Sequence, residues 1–219
     1  MQSLEAFKLI TFSHRVSKNY NIPLSNLVKF LKNYEENITE QLTINFNNKK
    51  IVCDMLKNNF YHMKLFYDLF DNWKKCNETC NLLKTRKLNI PEGISERLFC
   101  FHTGCVIIKK VYKIKISMSF DCYNLKTNKT VQLKSSSVYN DLSSFGPVSE
   151  WDELYFMYLD VNKNSYQIWN IDTNILNTTK INKNISFEEC KNTGKRPRLS
   201  IRKCFIEKYN LKPIYEGIL

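Results

Sequence analysis

The sequence predicts an α+β fold, because its apolar periodicity changes character part-way along the chain. Up to about residue 104 apolar residues recur at helical spacing. From Cys105 onward they alternate, and the alternating runs are separated by turns rich in Asn, Lys and Ser. The clearest such turn, Lys126-Thr-Asn-Lys129, joins two runs into a central hairpin.

Residues 1–64 read as helical. Leu4, Phe7 and Ile10 begin an amphipathic stretch, Pro23 breaks it, and Leu24, Leu27, Val28 and Leu31 resume it at i, i+3, i+4, i+7. A longer helix is expected from Ile51 to Leu83, with Met55, Leu56, Phe60, Met63, Phe66, Leu69 and Trp73 as its core-facing stripe. Pro91 suits the first turn of the next helix, PEGISERLFCFHTG, and Gly104 suits its left-handed end. Glu92 fits the positive N-terminus of that helix, and Glu96 lies one turn further on beside a strongly apolar face.

In the second half, Lys113 to Asp121 alternates like a half-buried strand and Thr130 to Lys134 is its returning partner. Ser135 to Pro147 reads as a polar loop. Leu154 to Leu159 is a buried strand that turns at Asn162–Ser165 into Tyr166–Trp169. A basic segment, a helix over Ser200–Tyr209 and a short strand near Ile214 complete the chain.

The 219 residues suit one large domain, or a core with a smaller attachment. No run approaches the ~20 apolar residues that span a bilayer, so no membrane association is expected. The first residues lack the basic and apolar regions of a secretory leader. The eight cysteines therefore read as reduced thiols in a cytoplasmic protein. Cys76 with Cys80, and Cys100, His102 and Cys105, have spacings that a zinc ion can use, but no second pair completes either group, and buried core cysteine is the preferred reading. Lys and Arg number 33 against 21 Asp and Glu, a net charge of +12. An A/T-biased genome raises Lys by itself, so the placement of the cations is more informative than their sum. Lys191, Lys195, Arg196, Arg198, Arg202 and Lys203 fall within 13 acid-free residues, held in a turn by Gly194 and Pro197. Such a run is either a solvated face or a polyanion-binding one.

Chemistry concentrates on the hairpin. Gln132 and Lys134 are two apart and share one strand face, and Asp121 ends the expected partner strand within reach of it. A hard cation such as Mg²⁺ takes oxygen ligands. Asp121 offers a carboxylate, Gln132 an amide oxygen and Leu133 its main-chain carbonyl. Lys134 can orient a water or meet charge developing on a phosphate. Glu96 can join the same metal directly or through water. By spacing alone, an exposed hairpin face is the stronger claimant to these residues.

This stretch resembles the PD-(D/E)XK nuclease superfamily. More narrowly, residues 66–219 look like the type II restriction endonucleases that cut GCNGC. The blocks that carry the likeness are NIPEGISERLFC (Asn89–Cys100), DCYNLKTNKTVQLKSSS (Asp121–Ser137), DLSSFGPVSEWDELYF (Asp141–Phe156) and TGKRPRLSIRK (Thr193–Lys203). Gln132 stands where the superfamily most often has an acid, which leaves the metal site one negative charge poorer.

The resemblance implies a nuclease core, a mixed sheet with flanking helices, over residues 65–219. Residues 1–64 become a helical accessory region. It also implies Mg²⁺, double-stranded DNA as substrate, a homodimer matched to a two-fold site, and catalysis by Asp121, Gln132, Lys134 and Glu96. Lys195, Arg196, Arg198 and Arg202 then read as DNA contacts, because arginine forks suit phosphate and guanine. Ser149 and Asp152, on the loop after Phe145-Gly-Pro147, are further base contacts, although Trp151 can simply anchor that loop to the core. Two rivals stand beside this reading. One is an enzyme that cuts the same sequence only when its cytosines are methylated. The other is a DNA-binding protein with an inactive nuclease fold.

Overall fold

Asparagines in the left-handed backbone region turn the chain at three hairpins, and those hairpins build the sheet that holds the candidate functional side chains. The computed structural model describes residues 39–56, 60–112 and 120–218. Strands β1 (Thr39–Phe46) and β2 (Lys49–Leu56) are joined by Asn47 (φ 49°) and Asn48 (φ 60°). Positive φ at both central residues gives the turn whose twist matches paired strands.

This hairpin corrects the helical reading of residues 1–64 over 39–56. Ile44 and Phe46, then Ile51, Cys53 and Met55, are buried at every second position, a strand period. Met55 and Leu56 happen to fall in helical phase with the apolar stripe of the next helix, which extended that stripe backwards. Residues 42–219 form one compact unit, so the hairpin belongs with the rest of the sheet. The helices expected before residue 39, and the strand expected over residues 113–119, lie outside the described residues.

Helix α1 (Phe60–Leu82) buries Phe66, Phe70, Trp73 and Asn77 along one stripe. Trp73 Nε1 donates to the Asn89 carbonyl (3.0 Å), and the Asn77 side chain accepts from Leu88 N–H (2.8 Å). These bonds fix the approach to helix α2 (Glu92–Thr103). Pro91 caps α2 in extended conformation, and Gly104 ends it at φ 72°, returning its N–H to the Cys100 carbonyl. The Gly104 end is where the sequence placed it, and the helix begins at Glu92, one residue after the Pro91 expected in its first turn.

Strands β3 (Val106–Val111), β4 (Cys122–Asn124), β5 (Lys129–Ser136), β7 (Glu153–Asp160), β8 (Ser165–Ile171) and β10 (Tyr215–Ile218) complete an eight-stranded sheet with β1 and β2, in the order β1-β2-β3-β4-β5-β7-β8-β10. The pairs from β2 to β5 and from β7 to β10 are antiparallel, and β5 and β7 run parallel. The expected hairpin is present as β4–β5, with Cys122 opposite Val131. Asn124 accepts from the N–H groups of Lys126 and Thr127, and Asn128 takes φ 56°. The β7–β8 hairpin repeats the device, with Asp160 accepting from Asn162 and Lys163 and Asn164 at φ 50°. An Asx acceptor four residues before a left-handed Asn is thus the turn signal in both.

One face of β7 and β8 buries Leu154, Phe156, Trp169 and Ile171 against Phe145, Leu176, Phe187 and Phe205. Two short helices on that side, α3 (Thr173–Thr178) and α4 (Phe187–Asn192), were not foreseen. A two-stranded ribbon pairs β6 (Ser143–Ser144) with β9 (Arg198–Leu199). The helix expected over Ser200–Tyr209 is a π-helical turn, Arg202–Glu207.

Candidate active site

Asp121 sits just before β4, and its backbone is pinned on both sides. Its N–H donates to the Val131 carbonyl (3.0 Å) and its carbonyl accepts from Ile108 N–H (3.1 Å). That holds the side chain at the middle of the sheet. Asp121 Oδ2 accepts from Leu133 N–H (2.8 Å) and from the Gln132 amide. Gln132 Nε2 also donates to the Leu133 carbonyl at 3.3 Å. The carboxylate, the amide and the main-chain carbonyl therefore converge, with the Gln132 NH₂ group among them.

Lys134 follows on the face it shares with Gln132, opposite Phe156 of β7. Its Nζ lies 5.3 Å from the centre of the Phe145 ring. Behind the strand, Ser135 Oγ donates to Ser95 Oγ (3.0 Å), which donates to the Glu92 carbonyl (3.0 Å), and this seats α2 on β5. Glu96 follows Ser95, and one turn later Cys100 Sγ meets Cys122 Sγ at 3.5 Å.

The electrostatics show carboxylates crowded together. Burial, then Asp121 and Glu92, push the Glu96 carboxyl from 4.5 up to about 8, with Lys109 and Arg97 opposing. Burial raises Asp121 from 3.8 to about 6, against the pull of the Leu133 N–H and Lys134. Burial also lowers the Lys134 ammonium, Asp121 and Glu92 resist this, and Arg196 adds to it. Glu92 thus acts on Asp121, Glu96 and Lys134. The sequence reading gave it only a helix-end role, although its i, i+4 relation to Glu96 was visible.

These residues fit a hard divalent cation. Turning the Gln132 amide over exchanges its NH₂ for its oxygen, which puts that oxygen beside the Asp121 carboxylate and the Leu133 carbonyl. Among the described residues no three acidic, His or Cys side chains converge in that way. The candidate donor set is accordingly one carboxylate, one amide and one carbonyl, with Glu96 at electrostatic range.

Lys195, Arg196 and Arg198 are exposed on the segment that forms the ribbon with β6. Phe145 N–H donates to the Pro197 carbonyl (3.1 Å), so this segment borders the Lys134 side of the sheet. Arg202 is held apart from them. Its guanidinium lies 3.8 Å from the Tyr139 ring and 4.7 Å from that of Tyr158, and its Nε is 3.3 Å from Glu207. The π-helical turn sets Arg202 and Glu207 side by side at i, i+5.

On the neighbouring loop, the Ser149 carbonyl accepts from Lys191 Nζ (2.6 Å), and the same ammonium lies 5.2 Å from the Trp151 ring. Asp152 Oδ2 accepts from both the N–H (2.8 Å) and the hydroxyl (2.7 Å) of Thr130, tying the loop to β5. Trp151 packs against both core clusters. His102 stacks on Tyr166 (4.8 Å) while Cys100 turns to Cys122, so these two ligands of the considered zinc group face different partners.

Comparison with known proteins decides the family. Residues 59–208 match the family model described as Bsp6I restriction endonuclease. The chain belongs to the Bsp6I restriction endonuclease family. It is also similar to the type II restriction enzyme Bsp6I of Bacillus sp. (strain RFL6), at 29% identity over 145 residues, 65% of this chain and 79% of that enzyme. No solved structure matches it significantly. Membership in the Bsp6I family makes it an enzyme of sequence-specific cleavage, with double-stranded DNA as substrate. The Bsp6I match begins after β2, so the β1–β2 hairpin is outside it although it is part of the same sheet. No described helix is long and apolar enough to cross a membrane.

Proposed function

We propose that the chain is a Mg²⁺-dependent endonuclease with a PD-(D/E)XK core, cutting double-stranded DNA at GCNGC-like sequences as a homodimer. The observation that carries this reading is the convergence of Asp121, Gln132 and the Leu133 carbonyl beside Lys134. The mixed sheet, with α2 carrying an acid onto the same place, agrees with such a core.

Asp121, the Leu133 carbonyl and the reoriented Gln132 amide are the groups that would hold the cation, and Glu96 would join through water. When bound, Mg²⁺ supplies Lewis acidity to the scissile phosphate and makes a coordinated water easier to deprotonate. Lys134 is partly stripped of its hydration, so its Nζ can orient the attacking water or meet charge building on phosphorus. Phe145 closes the space beneath it. Cleavage leaves a 5′-phosphate and a 3′-hydroxyl, one strand per subunit. Lys195, Arg196 and Arg198, with Ser149 and Asp152 on the adjoining loop, are the proposed DNA contacts. Arg202, bound to its tyrosines and Glu207, is not among them.

The deciding experiment is digestion of unmethylated and cytosine-methylated DNA with and without Mg²⁺, followed by sequencing of the ends. Ends gathered at GCNGC on unmethylated DNA, and only with metal, are expected. Cutting confined to methylated DNA would make the enzyme methylation-dependent. Binding without cutting on either substrate would refute the active-site reading.

A further inference from the structure

The basic segment is joined to Lys134 through one buried residue. Phe145 is 1% exposed, and its ring supports the Lys134 ammonium at 5.3 Å. Its main-chain N–H holds the Pro197 carbonyl at 3.1 Å. The facing of Ser144 with Arg198 and of Ser143 with Leu199 continues this attachment. Arg196 precedes Pro197, and a residue before proline is confined to extended backbone. Pro197 is itself buried. Arg196 therefore leaves the fold from a root that is fixed on the Lys134 side.

Its side chain is exposed, and among the described residues it makes no hydrogen bond or ion pair. Lys134 likewise has no ion-pair partner within the described residues. Two cations attached through the one residue Phe145, neither held in an ion pair among the described residues, form a seat for one shared anion. In a DNA-cutting enzyme the anion of the right charge and valence is a phosphodiester, and a guanidinium fork can hold two of its oxygens.

We propose that Arg196 and Lys134 grip the same phosphate, the scissile one, so that Arg196 serves catalysis and does not read bases. This rests on the reading of the Asp121–Lys134 cluster as the nuclease centre. Arg198, also exposed, lies two residues along, about 7 Å away on extended backbone, and serves as the comparison.

The test is a binding cycle in Ca²⁺ with the full chain and its Arg196→Ala, Arg196→Lys and Arg198→Ala variants. The probes are GCNGC duplexes in which one neutral methylphosphonate is walked through every phosphate of the site. Arg196→Ala should weaken binding to the all-phosphate duplex about tenfold, as loss of one charge-assisted contact does. That loss should fall below about twofold at a single position, the phosphate of the bond that the wild-type chain cuts with Mg²⁺. Arg196→Lys should retain part of the affinity, and Arg198→Ala should show no cancellation at that position. In Mg²⁺ with saturating enzyme, Arg196→Ala should cut roughly 100-fold more slowly. Cancellation at another phosphate, or at none, overturns the Arg196 assignment while leaving the nuclease reading intact. A wild-type chain that never cuts overturns both.

Discussion

Replacing Glu96 by Gln changes the charge of the candidate active site while nearly preserving its shape. In the folded chain burial, then Asp121 and Glu92, raise this carboxyl from 4.5 to about 8. The folded state therefore binds the proton more tightly than the unfolded one. The associated loss of stability is absent below pH 4.5, grows as pH rises, and is complete above about pH 8. At 1.4 kcal/mol per tenfold, the charged form costs about 4 kcal/mol near pH 7.5. Residual contact with water reduces that to about 2 kcal/mol. Metal-free Glu96→Gln should accordingly be about 2 kcal/mol more stable than the parent at pH 7.5 and lose the advantage towards pH 4.5. For a chain of this size the midpoint should rise by roughly 4–8 °C. The assay is urea or thermal unfolding in EDTA across this pH range. Burying a neutral amide carries its own cost, but that cost does not vary with pH, so the slope isolates the charge. A parent-to-variant difference that stays flat between pH 5 and 8 would refute the reasoning. So would a variant that is stabilised and still cuts DNA at the parental rate, because that removes Glu96 from the site.

Four other outcomes are expected. Asp121→Ala and Lys134→Ala should each abolish metal-dependent cleavage while retaining most DNA binding, as measured by gel shift and end mapping. Gln132→Glu should bind Mg²⁺ more tightly by titration calorimetry and be less stable without it, since a second carboxylate would replace the amide that now donates to Asp121. Arg202→Ala should lower stability by about 1–2 kcal/mol through its lost stacking on Tyr139 and Tyr158, with little change in DNA affinity by fluorescence anisotropy. A chain starting at Thr39 should stay soluble, whereas one starting at Met63 loses β1 and β2, bares the edge of β3 and should aggregate on size-exclusion chromatography.

The parts of the fold that were legible in the sequence are those whose signals are local. The β4–β5 hairpin is announced by Asn124 and Asn128, and α2 by Pro91 and Gly104, within a few residues of the structures they make. The same local signals were present for the first hairpin, where Asn47-Asn48 separates two alternating runs, but the helical stripe of α1 was allowed to absorb Met55 and Leu56. The helix α4 was also announced, by Ser186 and Glu189, whose side chains and N–H groups cap one another as a box. Its six residues lie in a polar stretch where apolar periodicity has no hold.

In the candidate active site, the residue types of Asp121, Gln132 and Lys134 were readable because one strand face holds two of them. What could not be read is everything that depends on distant chain segments meeting. The parallel pairing of β5 with β7, the support of Lys134 by Phe145 and the link from Phe145 to Pro197 all join residues whose separation carries no pattern. The fates of Arg202 and Asp152 belong here too. Each is a charged residue in a polar segment, and only the packed structure shows that one is stacked on tyrosines and the other tied to Thr130.

The parallel pair β5–β7 has a consequence of another kind. Parallel neighbours need a connection that crosses the sheet, and here that crossing, residues 137–152, carries β6 and the loop beside the basic segment. Both of its ends are latched. Ser136 Oγ reaches the Val138 carbonyl and Asp141 at one end, and Asp152 holds Thr130 at the other. A segment latched at both ends can exchange its interior without moving the strand that carries Gln132 and Lys134. On the proposed reading, drift in sequence preference could then accumulate in the crossing while the cutting chemistry is inherited unchanged, dividing the molecule into a constant blade and a replaceable guide.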